Sequence, residues 1–276
     1  MKPAAAIPDA LAVLPLVRGL DADDSPFSII RHVPAIAARA LADESLNTKI
    51  GLISSIDYAR HAGSYRIVPG IGVSSRMASG VARVRVKPDA RAIRTLSVDP
   101  RATAEVVLAS VLIAEKFPAA DGSATKLPTI VPVGDAASTD FSSCDAVLEY
   151  YPWPIPTRAA EGFSFDLYEE WADLTDLPWV SAMWVVREEE GEEAWIRALE
   201  AARDTGVSNL ERLASDEAAI RRLPQEDVIG HLQTFTYDLG TEQQDSLREF
   251  FQYAFYLGIL NDVPELAFFD PKEKEE

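Results

Sequence analysis

One segment of this chain, Glu169 to Val186, passes from a helical pattern into a strand pattern. Its sequence, EEWADLTDLPWVSAMWVV, is an acidic helical stretch, the step Leu177-Pro178 and then an aromatic-rich strand. Helix and strand patterns alternate along the chain before it, which is typical of an α/β protein. Four segments with apolar residues at helical spacing follow it, so the C-terminal third is predicted to be mostly helical.

The composition excludes several kinds of site. With 47% hydrophobic and 25% charged residues, the 276-residue chain has the composition of a folded globular protein. Its one cysteine, Cys144, excludes an internal disulfide, and the three histidines have no metal-ligand spacing. Gly70-Ile71-Gly72 lacks the third glycine of a dinucleotide fingerprint, and no phosphate-binding loop occurs. We therefore expect neither a metal ion nor an organic cofactor.

The net charge of −18 disfavours two classes of partner. Nucleic acids and anionic membranes would be repelled at long range, so neither is expected to bind. Pro8, Asp9, Pro15 and Arg18 interrupt the apolar N-terminal run, which therefore does not fit a signal peptide. No apolar stretch reaches the roughly 18 residues of a membrane span. These features favour a cytoplasmic protein.

Positive charge is concentrated in one part of the chain. Between residues 76 and 101, seven basic side chains are opposed by two acidic ones, Asp89 and Asp99. The seven are Arg76, Arg83, Arg85, Lys87, Arg91, Arg94 and Arg101. A solvated surface is one interpretation of such a run. The sharper interpretation is a binding site for a small anionic ligand.

Two neighbouring serines mark a predicted strand end. The run KIGLISSI, residues 49–56, is typical of a buried parallel strand and ends in Ser54 and Ser55. Ligands of open α/β sheets bind at the carboxyl ends of strands, so these hydroxyl groups are placed to contact a substrate. The alternative is that they cap the helix that follows.

Two further segments carry candidate anion-binding groups. Residues 81–87 alternate Val with Arg or Ala, so Arg83 and Arg85 are predicted to project to one face of a strand. Asp99-Pro100 is predicted to open a helix whose first turn, with Arg101 and Thr103, would receive an anion. Capping explains Asp99 and Thr103 equally well.

Four segments together resemble the chorismate dehydratase family of the futalosine route to menaquinone, and its sister group that acts on cyclic dehypoxanthinylfutalosine. They are GLISSIDYAR (51–60) with VPGIG (68–72), the segment from Leu96 to Asp99 with its following helix, Glu169 to Val186, and YDLGTEQQDSLREFFQYAFYLG (237–258). They occur in the family's order and span most of the chain. The EEW…LT.LPWV and YDLG…LR.FF segments carry most of the specificity.

The resemblance implies a type II periplasmic-binding-protein-like fold with two α/β lobes and a ligand cleft between them. Residues 1–88 and 186–276 would form a discontinuous first lobe, and residues 89–185 the second. The hinges would fall near Lys87 to Arg91 and near Trp184 to Val186. The sequence does not decide whether the C-terminal helices form a homodimer.

The family reaction, as the resemblance implies, removes water from chorismate and gives 3-[(1-carboxyvinyl)oxy]benzoate. It requires binding of two carboxylates, a base for a ring proton and a donor for the departing hydroxyl. This chain departs from the family's polar motif positions: the Asn position falls on Ala12, the strand Ser position on Arg83, and the Gly-Asp pair on Tyr151-Pro152. Thr103 is retained in the third motif.

Two classes of function follow. The first is a lyase on chorismate or a related carboxylate, in which Arg83 or Arg101 holds the acid group while Ser55 and Thr103 donate hydrogen bonds. The second is a non-catalytic relative that binds a small anionic aromatic ligand, with Trp153 or Trp184 stacking on it. The candidate binding residues are Ser54, Ser55, Arg83, Arg101, Thr103, Tyr151, Trp153 and Trp184. An extracytoplasmic solute receptor is a third option, disfavoured by the N-terminal sequence.

Overall fold

The computed structural model describes residues 2–20, 22, 25–117, 127–134, 136, 139–153, 163–188 and 190–270. Its strands are β1 (Ala4–Pro8), β2 (Ser28–His32), β3 (Thr48–Ser54), β4 (Tyr65–Ser75), β5 (Ala82–Val86), β6 (Thr95–Val98), β7 (Thr129–Pro132), β8 (Ala146–Tyr150), β9 (Phe163–Asp166) and β10 (Trp179–Arg187). Its α-helices are α1 (Leu14–Val17), α2 (Pro34–Ala42), α3 (Ser55–Arg60), α4 (Thr103–Lys116), α5 (Leu167–Thr175), α6 (Glu193–Ser208), α7 (Leu210–Arg221), α8 (Gln225–Gln233) and α9 (Thr241–Tyr256). Helices and strands alternate up to β10, and helices follow it, as the sequence patterns predict.

The strands form two mixed five-stranded sheets. The first has the order β2-β1-β3-β10-β4, in which β1 is parallel to β2 and β3 while β10 is antiparallel to β3 and β4. The second has the order β7-β6-β8-β5-β9, in which β6 is parallel to β7 and β8 while β5 is antiparallel to β8 and β9. The two sheets therefore repeat one arrangement, with a single antiparallel strand in the fourth place of each.

The chain passes twice between the sheets. The strands of the first sheet come from residues 4–75 and 179–187, and those of the second from residues 82–166. These memberships favour crossings at 76–81 and 167–178, about ten residues before the expected lobe boundaries at 88 and 186. The boundaries of the two lobes stay a prediction, and we propose that they lie at these earlier crossings.

One helix boundary differs from the sequence-based expectation. The helix expected to open at Asp99-Pro100 begins only at Thr103, so Pro100 lies outside it. The prediction of the helix start was therefore wrong by about one turn. β4 runs from Tyr65 through Pro69 and Gly70 to Ser75, and β10 pairs with it in three registers separated by two irregular steps.

The helical C-terminal part fixes the turn that follows β1. A 3₁₀ turn from Leu11 to Val13 leads into α1, and α1 packs on α6. Gly206 of α6 lies so close to this turn that an added Cβ would fall 1.9 Å from the carbonyl oxygen of Pro15. Only glycine fits there, so the contact holds residues 10–13 in place at the edge of the first sheet. In the described part of the chain, no helix is both long and apolar enough to cross a membrane.

Candidate active site

A cavity of about 40 Å³ lies between the two sheets. It is formed at the carboxyl ends of β1, β3 and β8, the edge at which sequence reasoning placed a ligand. β10 and the N-terminal halves of α4 and α5 complete it. The lining residues that the structure describes are Pro8, Ala10, Ala12, Val13, Pro34, Ser54, Val81, Glu105, Tyr150, Pro152, Tyr168, Ser181 and Ala182.

The central polar group of this cavity is the carboxyl group of Glu105. Glu105 lies in the first turn of α4 and is 6% exposed. The hydroxyl group of Tyr168 donates a hydrogen bond to its Oε1 at 2.9 Å. Burial raises the pKa of Glu105 to about 6, and the charge of Asp57 acts in the same direction. A carboxyl group with this pKa can both donate and accept a proton near neutral pH.

A second buried carboxylate, Asp57 in α3, is held by hydroxyl groups. Ser54 Oγ donates to Asp57 Oδ2 at 2.7 Å, and Thr103 Oγ1 donates to the same oxygen at 3.1 Å. Ser54 also caps α3, because its Oγ accepts a hydrogen bond from the backbone N–H of Asp57 at 3.3 Å. The network ties the end of β3 to the start of α4, on either side of the cavity.

Of the eight predicted binding residues, the structure brings Ser54 and Thr103 together. Their hydroxyl oxygens lie 3.4 Å apart, and Ser54 lines the cavity. Ser55, the first residue of α3, is fully buried, and its Oγ has no hydrogen-bond partner among the residues that the structure describes. The sequence-based alternative that the serines cap a helix holds for Ser54. A role for any of the three in ligand binding stays a prediction.

Arg83 lies away from the described cavity lining. Its Nε and Nη2 donate to Oε2 of Glu149 at 3.0 and 2.6 Å, and Nε of Arg85 donates to the other oxygen at 2.6 Å. Both arginines project to one face of β5, as the alternation predicts. Tyr151, on the adjacent strand end, lies near this group, and its burial and the charge of Glu149 raise the pKa of its phenol. The geometry therefore favours an ion-pair network for Arg83 over a carboxylate clamp.

Three further predicted residues, Arg101, Trp153 and Trp184, contact other groups of the protein. Arg101 pairs with Asp99, with Nε–Oδ1 at 2.9 Å, and its side chain is half exposed. Trp153 stacks against the guanidinium group of Arg221, whose Cζ lies 3.0 Å from the ring centroid. Trp184 is fully buried in the core of the first sheet. Their roles as ligand-binding residues stay predictions that these contacts do not favour.

Sequence reasoning missed Glu105, Tyr150 and Tyr168 as cavity residues. An acidic residue in the first turn of a helix is ordinarily explained by the helix dipole, so Glu105 gave no separate signal. Two of the replaced motif positions do lie at the cavity. Ala12 and Pro152, where the resemblance implies polar residues, both line the cavity. Among the described residues, no group of three or more His, Cys, Asp or Glu side chains could hold a metal ion.

Three solved structures share this fold. A protein of Archaeoglobus fulgidus aligns with a TM-score of 0.67 and 16% identity, covering 93% of this chain and 98% of that one. The periplasmic aliphatic sulphonate binding protein of Escherichia coli aligns with a TM-score of 0.59 and 13% identity, covering 98% and 92%. The alkanesulfonate-binding protein of Xanthomonas axonopodis, bound to MOPS, gives 0.60 and 13%, covering 96% and 95%. The fold is periplasmic-binding-protein-like, with two α/β units and a helical C-terminal part.

Two comparisons of sequence agree with this fold. A chorismate dehydratase of Thermus thermophilus is 25% identical over 235 residues, which cover 81% of this chain and 85% of that protein. The model of the menaquinone biosynthesis family matches residues 4–256, from the first strand to the end of α9. This protein therefore belongs to the menaquinone biosynthesis family.

Proposed function

We propose that this protein is a carbon–oxygen lyase of the chorismate dehydratase type, which converts chorismate into 3-[(1-carboxyvinyl)oxy]benzoate in futalosine-dependent menaquinone biosynthesis. Family membership and the Thermus thermophilus relative support the substrate class. The observation that carries the proposal is Glu105, a buried carboxyl group with a pKa of about 6 in the cavity between the sheets.

Glu105 can serve as acid and then as base in one dehydration. Protonated Glu105 donates its proton to the departing ring hydroxyl, whose C–O bond breaks with its electron pair to give water. The resulting carboxylate accepts the ring proton, and the electron pair of the C–H bond completes the aromatic ring. Glu105 ends in its acid form, so no second substrate is consumed.

Two tyrosines support this role. Tyr168 holds the Glu105 carboxyl group through its hydrogen bond of 2.9 Å. Burial is the largest cause that raises the pKa of Tyr168 and of Tyr150 well above the usual value, and the nearby charge of Glu105 acts in the same direction. Both hydroxyl groups therefore stay protonated. Tyr150 can therefore donate a hydrogen bond to an oxygen atom of a ligand, Tyr168 donates its hydroxyl hydrogen to Glu105, and neither tyrosine can remove a proton from the ligand.

A second candidate function is a non-catalytic protein that binds a small anionic aromatic ligand, and it is favoured by Ala12 and Pro152, which line the cavity where the resemblance implies polar residues. None of the described lining residues is Lys, Arg or His. A cavity of about 40 Å³ holds about three water molecules. A whole chorismate molecule would enter only if the cleft widened, and the cavity would then surround one part of it.

Incubation of the purified protein with chorismate, followed by chromatography with mass detection, tests the lyase directly. We expect enzyme-dependent loss of one water. Because Glu105 acts on the reacting atoms, Glu105→Gln is expected to lower kcat at least about 100-fold. Glu115→Gln, in the exposed part of the same helix, is the matched control and is expected to leave kcat unchanged.

Unchanged chorismate beside an active dehydratase would refute the lyase. Calorimetric titration with chorismate would then decide the second candidate, because saturable binding without product is what a non-catalytic relative would show. Product formation that survives Glu105→Gln would place the acid and base elsewhere in the cleft. The cytoplasmic location and a homodimer stay predictions.

A further inference from the structure

The surroundings of Glu105 are rich in acidic groups. The titratable and charged groups around it are Asp57 from α3, Tyr150 from β8, Tyr168 from α5, and the Asp99–Arg101 pair before α4. α9 packs on the far end of α4, where Tyr253 faces Glu115. Arg101 is the cation among these groups, and its guanidinium lies on Asp99 with the side chain half exposed.

An anion that enters this cavity therefore meets Glu105 without a cation among the described lining residues, and Asp57 adds a further negative charge near Glu105. Two like charges that share a desolvated site raise the free energy of the ionised pair. Tyr150 supplies a hydroxyl donor, since Tyr168 already donates its hydroxyl hydrogen to Glu105, but a hydrogen bond alone leaves the negative charge uncompensated. A proton on Glu105 would remove the charge of Glu105 and leave that of the ligand.

We infer that the cavity binds a carboxylate ligand together with one proton, which is taken up by Glu105. The acid form then takes the place of a cationic clamp, which the described lining residues do not supply, and Tyr168 holds the carboxyl group by its hydrogen bond. The inference rests on the proposed function only in taking the ligand to be a carboxylate. It does not require turnover.

The pH dependence follows from the sign of the linkage. Glu105 in the ligand-free protein has its pKa raised to about 6 by burial, so it is mostly ionised at pH 7 and mostly protonated at pH 5. If the complex holds the proton over this range, the affinity for a carboxylate is constant below pH 6. Above pH 6 it falls about tenfold per pH unit.

Isothermal titration of the full-length protein at pH 7 tests this with chorismate and with benzoate, a carboxylate that has no hydroxyl to lose. Titrations in phosphate and in Tris, which differ in ionisation enthalpy, give the number of protons taken up. We expect nearly one for the unaltered protein and for Glu115→Gln. We expect none for Glu105→Gln, which should bind about tenfold more tightly at pH 7 and equally at pH 5.

Carboxylate binding without proton uptake would overturn the inference. So would uptake that persists in Glu105→Gln, since the proton would then go to another group, or failure of both probes to bind at millimolar concentration. The two proposals fail separately. Chorismate bound with proton uptake but not converted would refute the lyase alone, and product formation without uptake would refute the proton coupling alone.

Discussion

Two buried glutamates near the second sheet have opposite surroundings. Glu149 on β8 is 3% exposed, and its two oxygens accept hydrogen bonds from Arg83 and Arg85. Glu105 at the start of α4 is 6% exposed, accepts a hydrogen bond from Tyr168 and has Asp57 as its charged neighbour. Glu149 thus has two positively charged partners, whereas the charged neighbour of Glu105 is another acid.

The difference separates a structural carboxylate from a reactive one. A carboxylate between two guanidinium groups fixes two strands relative to each other. A carboxyl group beside a tyrosine and another acid has a pKa within reach of neutral pH, and such groups cluster at functional sites. In the basic run between residues 76 and 101, Arg83 and Arg85 form ion pairs with Glu149, and binding of an anion by Arg83 stays a prediction.

Removing the carboxylate of Glu149 is expected to have the largest effect on the free energy of unfolding. Glu149→Gln leaves two partly buried guanidinium groups without a carboxylate, and loss of one partner of a buried ion pair typically costs about 3 kcal/mol. Urea unfolding at pH 7 measures the change in the free energy of unfolding. Glu200→Gln on α6 is an exposed control. A change below 1 kcal/mol would mean that the network contributes little to stability.

Removing the charge of Glu105 is expected to have the opposite sign. Its pKa is raised from 4.5 to about 6 in the folded protein, so ionisation destabilises the fold by about 2 kcal/mol above pH 6 and not at all at pH 4. Glu105→Gln should therefore gain about 2 kcal/mol over the unaltered protein between pH 4 and pH 7.5. Denaturation curves at the two pH values measure this gain, and an equal difference at both would contradict it.

The hydrogen bond from Tyr168 to Glu105 gives a third test of the comparison between the two glutamates. It stabilises the ionised form of Glu105, so Tyr168→Phe is expected to raise the pKa of Glu105 above about 6, an effect of about 1 kcal/mol. The pH dependence of benzoate binding reports this pKa. Tyr253→Phe, at the far end of α4, should leave the midpoint in place. A midpoint that moved down would show that the tyrosine contacts the acid form instead.

The smallest expected effect concerns Arg83 and the ligand. Arg83 contacts Glu149 and lies outside the described cavity lining, so Arg83→Ala should change carboxylate affinity less than twofold, about 0.4 kcal/mol. Titration calorimetry decides between this and the sequence-based expectation of a carboxylate clamp. A tenfold weakening would restore Arg83 to the binding site.

The periodicity of apolar residues and the order of the helix and strand patterns predicted much of the fold. The alternation in residues 81–87 placed Arg83 and Arg85 on one face of β5, and the run that ends in Ser54 placed a strand end at the cavity. Helix starts were predicted less well: α4 begins at Thr103 because residues 99–102 form a separate turn, closed by the hydrogen bond from the Ala102 N–H to the Asp99 carbonyl oxygen and by contacts of the Asp99 side chain with Arg101.

The site itself depends on contacts between distant parts of the chain. Arg83 meets Glu149 across a register between β5 and β8, and Glu105 meets Tyr168 between α4 and α5. Neither pair leaves a periodic trace in the sequence, because strand pairing and helix packing bring the residues together. Residue type alone therefore favoured the arginines as ligand-binding groups, whereas the residue that the structure brings to the cavity lining is Glu105.

The position of β10 has a consequence for how the chain folds. β10 lies between β3 and β4 in the first sheet, yet it follows β4 by roughly a hundred residues, among them all the strands of the second sheet. Closing so long a loop is slow, and sheets built on distant pairings fold late. We therefore expect the second sheet to form as a local unit during synthesis and the first to close only after residue 187 has left the ribosome.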